Sequence, residues 1–142
     1  MHLVNYLIFN GRCEEAIEYY QKTLNAELVM LMRFEDMPAE GNEDCQMPED
    51  MGQKIMHAEI QIGDSKIMMS DSPEQGPVNF SGFSLSIAAD SIEQGSSLFS
   101  ALAEDGKVIM PLAETFWAKA FGMLEDKFGL SWMVNVEASD ES

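Results

Sequence analysis

The sequence has only two histidines in 142 residues, His2 and His57, and only two cysteines, Cys13 and Cys45. Basic residues are scarce too: 8 Lys+Arg stand against 25 Asp+Glu, for a net charge of −17. Each scarcity excludes something. Phosphate backbones and anionic lipid heads are held by clustered Lys and Arg, so neither nucleic acid nor membrane is an expected partner. The cysteines lie outside any CxxC or Cys/His cluster, which argues against structural zinc. Met1–Phe9 is too short and lacks the basic start of a signal peptide, so the expectation is a cytoplasmic protein with free thiols. No apolar run approaches the roughly 18–20 residues of a membrane span. No G-x-G-x-x-G turn follows a strand, which removes the usual nucleotide-cradling motif. Asn79-Phe80-Ser81 matches a glycosylation sequon and, without a leader, is read as chance. What is present is a 46% hydrophobic fraction, too high for a disordered acidic chain and sufficient for one domain over 1–142.

Patterning divides the chain into alternating elements. Leu3–Phe9 reads as a buried strand ended by Asn10-Gly11. From Cys13 to Leu24 the period becomes helical, with Cys13, Ala16, Ile17, Tyr20 and Leu24 on one face and Asn25 as a left-handed stop. Ala26–Glu35 is a second strand. Residues 35–54 carry seven acids, two Pro and two Gly, and define an acidic loop at 36–54; loops of that length are often lids or binding elements, though a solvated excursion is the simpler reading. His57–Ile62 and Ser65–Ser70 form a hairpin about Gly63-Asp64. A connector at 71–79 leads to a strand at 82–89. A helix follows from a cap at Asp90 or Ser91 to about Glu104, with Ile92, Leu98, Phe99 and Leu102 as its apolar face. Lys107–Met110 is a strand, and Ala118–Leu124 with Leu130–Val136 a last hairpin.

The order is thus strand, helix, three strands, and the same again. The halves echo each other: Ala26-Glu27-Leu28-Val29-Met30 corresponds to Gly106-Lys107-Val108-Ile109-Met110, and Ile67-Met68-Met69-Ser70 to Trp132-Met133-Val134-Asn135. The predicted class is α+β, two βαβββ modules at 3–71 and 81–137. Several segments then carry a resemblance: Glu14-Glu15-Ala16-Ile17-Glu18-Tyr19-Tyr20, Lys66–Asp71, Glu114-Thr115-Phe116-Trp117-Ala118, and Asp126-Lys127-Phe128-Gly129-Leu130-Ser131-Trp132-Met133. Over about residues 3–136 the chain resembles the PhnB-like branch of the glyoxalase/bleomycin-resistance/dioxygenase (vicinal oxygen chelate) superfamily, whose domains are often labelled 3-demethylubiquinone 3-methyltransferase. The resemblance implies curled mixed sheets forming a cup for a small molecule, and a homodimer. The methyltransferase label finds no glycine turn to support it.

The superfamily's usual mechanism has a divalent metal held by His and Glu on the first and last strands of each module, where a Lewis acid stabilises an oxyanion. Carried onto this chain, those positions fall at or next to Asn5, near Met69 or Ser70, near Phe83, and near Met133 or Asn135. None is His or Glu, so no metal cofactor is expected. His57 is a candidate general base, its ordinary pKa near 6.5 needing little shift, with a hydrogen-bonded strand residue as the plain alternative. Asp71 would orient it or initiate a turn. Glu114-Thr115-Phe116-Trp117 is the best candidate ligand surface. Aromatics stack on planar or apolar molecules and Glu114 or Thr115 can fix them; a dimer contact at Trp117 is the competing reading. Cys13 reads as packing, and Cys45, among acids, as a poor nucleophile. Strand methionines (among them Met30, Met32, Met68, Met110, Met123 and Met133) either line an adaptable apolar cup or fill the core. An anionic phosphonate would want cations, and only Arg33, Lys119 and Lys127 are placed to supply them. Three functions remain: a small-molecule-binding protein with Asn5, Ser70, Phe83, Thr115, Phe116, Trp117 and Asn135 around its ligand, a lyase- or isomerase-like enzyme using His57 or Glu114, or a purely structural dimer module with a filled cup.

Overall fold

The computed structural model describes residues 1–36, 52–72 and 80–137. The acidic loop with Cys45, the connector with Asn79, and the acidic tail beyond Glu137 therefore lie largely outside the described residues. The chain divides into two compact units, 1–78 and 79–142. The first contains β1 (Asn5–Phe9), α1 (Cys13–Leu24), β2 (Glu27–Arg33), β3 (Ile55–Ile62) and β4 (Ser65–Asp71). The second contains β5 (Leu85–Ala89), α2 (Ile92–Ala103), β6 (Lys107–Ala113), β7 (Ala118–Glu125) and β8 (Ser131–Glu137). Each unit folds its strands into one open mixed sheet, ordered β1-β4-β3-β2 and β5-β8-β7-β6. The first strand of each unit lies parallel to the last, and the other pairs are antiparallel. This is the α+β repeat expected from the sequence. Among the described residues no helix is long and apolar enough to cross a membrane.

The two helices start differently. Arg12, at the start of α1, offers no side-chain cap. Asp71, at the end of β4, supplies one from across the sheet: its Oδ1 accepts from the Gly11 and Cys13 N–H groups at 2.7 and 3.0 Å, and its Oδ2 from Ile55 N–H at 3.0 Å. Two backbone donors of the strand-to-helix turn and a third at the start of β3 are thereby satisfied inside the protein. The helix ends on Asn25, in the left-handed region at φ 56°. In α2 the capping is local. Ser91 Oγ accepts from Gln94 N–H at 3.1 Å, and Gln94 Oε1 accepts from Asp90 N–H at 2.7 Å.

The helix faces set each core. Cys13, Ala16, Ile17, Tyr20 and Leu24 of α1 are all buried, as their spacing predicts, over Leu7, Phe9, Ala58, Ile60, Ile67 and Met69 of the sheet. In α2, Gly95, Phe99 and Leu102 are buried, whereas Ile92, expected on the apolar face, is 52% exposed. The reason is close approach. A Cβ on Gly95 would stand 2.9 Å from Val136 Cγ2 and 3.5 Å from Ala89 Cβ, so the helix meets the sheet at its glycine and tips its first turn away. A second difference is β6, which runs through Pro111 to Ala113 rather than stopping at Met110. β6 is an edge strand with two irregular steps in its pairing, a position where proline's missing N–H is tolerated.

Candidate functional site

Strand alternation assigns every side chain to the helix side or the open side of its sheet. In the first unit, register partners on the open side are Tyr6 with Met68, Ile8 with Ser70, Met68 with Glu59, Glu59 with Met30, and His57 with Met32. Here the structure supplies a group the sequence did not suggest. The Tyr6 hydroxyl lies 3.2 Å from His57 Nδ1, and the rings stack with centroids 5.7 Å apart at 28°. The contact has two forms: Tyr6 donating to Nδ1 leaves the ring proton on Nε2 as a donor toward the open face, and Nδ1–H donating to the tyrosine oxygen leaves Nε2 as an acceptor. Tyr6 is hidden because Leu3–Phe9, Asn5 aside, reads as one apolar run; the alternation of buried Leu7 and Phe9 with exposed Tyr6 and Ile8 is the signal that finds it. Ser70, in register beside Ile8, is buried on this face. Asn5 falls in the other set, with Leu7 and Phe9. Asp71 does not orient His57, since its oxygens serve the three backbone donors.

In the second unit the open side carries Met110, Met123 and Met133 in one register row, and Phe121 opposite Asn135 in the next. Asn135 Oδ1 is buried without a hydrogen-bond partner among the described residues. The segment between β6 and β7 is a turn tied by Thr115. Its hydroxyl accepts from the Trp117 and Ala118 N–H groups at 3.3 and 3.1 Å, while its own N–H donates to the Ala118 carbonyl at 3.1 Å. Thr115 is thus committed to the turn, and the turn presents two aromatics. Phe116 is 96% exposed and Trp117 50%. Trp117 packs edge-on against Phe116 at 4.8 Å and against Phe121 at 5.5 Å. The aromatic pair is therefore continuous with the open face through Phe121. Glu114 is exposed beside them, and Phe83, before β5, is exposed as well.

Asp126, unremarked except as part of the Asp-x-Phe-Gly segment, is as buried as Asp71. Its Oδ1 accepts from Phe128 and Leu130 N–H at 2.9 and 3.0 Å, and its Oδ2 from Trp132 Nε1–H at 2.8 Å. It shapes the β7–β8 turn and is not part of the open face.

On the helix side of the first unit, a polar groove of about 480 Å³ is lined by Gly11, Glu14, Glu15, Glu18, Gln53, Lys54 and Asp71. Its main acids are already engaged: Asp71 by backbone, Glu15 by Arg12, and Glu14 by Arg33. The Arg33 hydrogen bond holds the Glu14 carboxyl below the usual carboxylate range, against a smaller opposing effect of burial. Arg33 is accordingly committed to Glu14 and to the Gln53 carbonyl, leaving Lys119 and Lys127 of the cations named above. Burial, then the charges of Asp71 and Glu14, push the Cys13 thiol far up, so it is a packing group.

The donors on the open faces are thioethers, an amide, hydroxyls, one imidazole bonded to tyrosine and one carboxylate, Glu59, which faces Lys66 at 3.9 Å, a set poor in the carboxylates that hard divalent ions take. Among the described residues no group of three or more His, Cys, Asp and Glu is gathered for a metal.

The order of elements, the mixed sheets and the α1 and β-turn signatures define a glyoxalase/bleomycin-resistance type fold. A glyoxylase/bleomycin resistance protein/dioxygenase domain from Frankia sp. EAN1pec shares it, with a TM-score of 0.70 over 97% of this chain and 98% of that one at 13% identity. Within that class, the profile of the 3-demethylubiquinone-9 3-methyltransferase family matches residues 1–135, and the chain belongs to this PhnB-like family. Protein YjdN of Escherichia coli K12 is 43% identical over 96% of this chain and 95% of its own length. Protein PA1353 of Pseudomonas aeruginosa is 42% identical with a TM-score of 0.84, covering 98% and 99% of the two chains. A PhnB protein from Bacillus cereus is 27% identical with a TM-score of 0.78, covering 96% and 99%.

Proposed function

We propose that this protein binds a small organic molecule on its open sheet surface, without the divalent metal usual in its superfamily, and does so as a cytoplasmic homodimer with the sheets curled into a ligand cup. The observation that carries this reading is the Phe116–Trp117 edge. Two large aromatics held out by a hydroxyl-tied turn lose little further freedom on capturing a ligand, and they run into an apolar face with one unpartnered amide oxygen. The bound molecule is then planar or apolar, gripped by Trp117, Phe121 and the methionines and oriented by Asn135. Dimer formation would cover the apolar edge strands, where Leu28, Val29 and Met30 of β2 and Val108, Ile109 and Met110 of β6 are exposed.

A thermal-shift screen of the full chain against a metabolite library in chelator tests the reading. The expected result is at least one compound that raises the melting temperature of the wild type and not of Trp117→Ala. No hit, or hits that Trp117→Ala retains, would count against it. Light scattering on the same variant separates the other role: a Trp117→Ala protein that turns monomeric assigns the ring to the dimer contact. A second reading is favoured by the Tyr6–His57 pair, a polar group on the open face of the first unit. It makes the protein a lyase- or isomerase-like enzyme in which the His57 Nε2–H polarises a substrate oxygen. Glu114 lies in the other unit. A His57→Gln variant that turns over a library hit as fast as wild type would remove that reading.

A further inference from the structure

We propose that Met110, Met123 and Met133 form a site for a soft monovalent cation, Cu(I) being the biological one, on the open face of the second unit. The three residues are direct register partners on adjacent strands: Met110 opposite Met123, and Met123 opposite Met133. Met123 and Met133 fall on the side away from α2, because the alternate residues Gly122, Leu124, Trp132 and Val134 are buried, and Met110 joins them through its pairing with Met123, between the two irregular steps of β6. Adjacent strands are about 4.8 Å apart, so the two outer backbones stand roughly two such spacings from each other. A methionine side chain has three rotatable bonds, so both outer sulfurs can swing over Met123. Three neutral, polarisable thioethers without a carboxylate or imidazole among them select Cu(I) or Ag(I) and reject Mg, Ca and Mn, which want oxygen.

Two further observations point the same way. One row along the same face, Asn135 Oδ1 is a buried oxygen with no donor among the described residues, and Phe121 opposite it offers a ring; both favour a positive charge nearby. The first unit supplies an internal control. Its corresponding row reads Met30, Glu59, Met68, with the central thioether replaced by a carboxylate that faces Lys66 at 3.9 Å. That row lacks the all-sulfur set. The proposal shares the methionine row, Phe121 and Asn135 with the ligand-binding reading above and is told apart from it by substitution, because an apolar ligand surface needs only hydrophobic bulk at these positions and a soft-cation site needs sulfur.

The test uses the full chain in a Cys45→Ser background, so that this thiol does not compete for the first equivalent; Cys13 is fully buried. Methionine methyl groups are ¹³C-labelled and Ag(I) is titrated as the air-stable probe. The expected result is that three of the twelve methyl resonances move together and saturate at one equivalent. Met123→Leu, a volume-conserving change, should weaken binding at least about tenfold while leaving the melting temperature nearly unchanged. Met133→Leu should do the same, and the pair Met30→Leu with Met68→Leu should not. Shifts that are absent, scattered over many methyls, or retained within about twofold in Met123→Leu would overturn the assignment.

Discussion

The first unit begins its helix with a cap borrowed from Asp71, 58 to 60 residues away, whereas the second caps its helix within four residues through Ser91 and Gln94. Their open faces differ in the same spirit. The first carries a polar pair, Tyr6 with His57, and a methionine row interrupted by Glu59; the second carries an unbroken methionine row, Phe121, and the Phe116–Trp117 edge. One chain path has been given two kinds of surface. The difference teaches that the repeat specifies where side chains point, while single residues on the open side decide what each half can hold.

The comparison can be broken or sharpened by substitution, beginning with the buried carboxylates. Asp71→Ala should be the most damaging change, costing about 3–5 kcal/mol in urea unfolding, because it strands three backbone donors, two of them in buried hydrogen bonds. A loss below that of a typical exposed cap would mean the α1 start is satisfied some other way. Asp126→Asn should cost somewhat less, about 2–4 kcal/mol, by turning an amide N–H toward the Trp132 indole N–H. Trp132→Phe made on top of it should then cost less than Trp132→Phe in the wild type; strictly additive values would deny the bond its importance. Gly122→Ala should cost about 1–3 kcal/mol, since the new Cβ would meet Phe99 Cε2 at 2.7 Å and the Leu112 backbone at 2.9 Å. Ser91→Ala should cost only about 1 kcal/mol, the ordinary worth of a local cap. A Ser91 effect equal to that of Asp71 would erase the contrast between the units.

The smallest effect expected is at Glu14. Its folded carboxyl is held low by the Arg33 hydrogen bond, so its contribution is present above the ordinary carboxylate value of about 4.3 and is lost as pH falls through the lower folded value. Both partners are partly exposed, which limits the contribution to under about 1 kcal/mol. Glu14→Gln should therefore lower stability slightly at neutral pH and match wild type in strong acid. A gap that widens on acidification would contradict the pairing.

Much of this architecture was legible in the residues. The 3.6 spacing of Cys13, Ala16, Ile17, Tyr20 and Leu24 predicts the buried face of α1, and Asn25 its left-handed stop. What escaped was long-range. Asp71 reads as a turn residue because its partners are far away in sequence, and Tyr6 disappears inside an apolar run. Ile92 looks like core until Gly95 draws the helix in, and Pro111 looks like a stop until β6 proves to be an edge. For the candidate site, the Thr115–Trp117 segment stood out by composition. The methionine row emerged only once pairing register placed Met110, Met123 and Met133 side by side.

The most direct test of the central proposal is Trp117 emission in a Trp132→Phe protein, which leaves Trp117 as the only tryptophan. Compounds that stabilise the wild type are titrated in the presence of chelator. The account predicts a saturable change in emission with the same midpoint as the thermal stabilisation, and no dependence on added Mg, Mn or Zn. Stabilising compounds that leave Trp117 emission unchanged, or that act only when a divalent metal is restored, would contradict it.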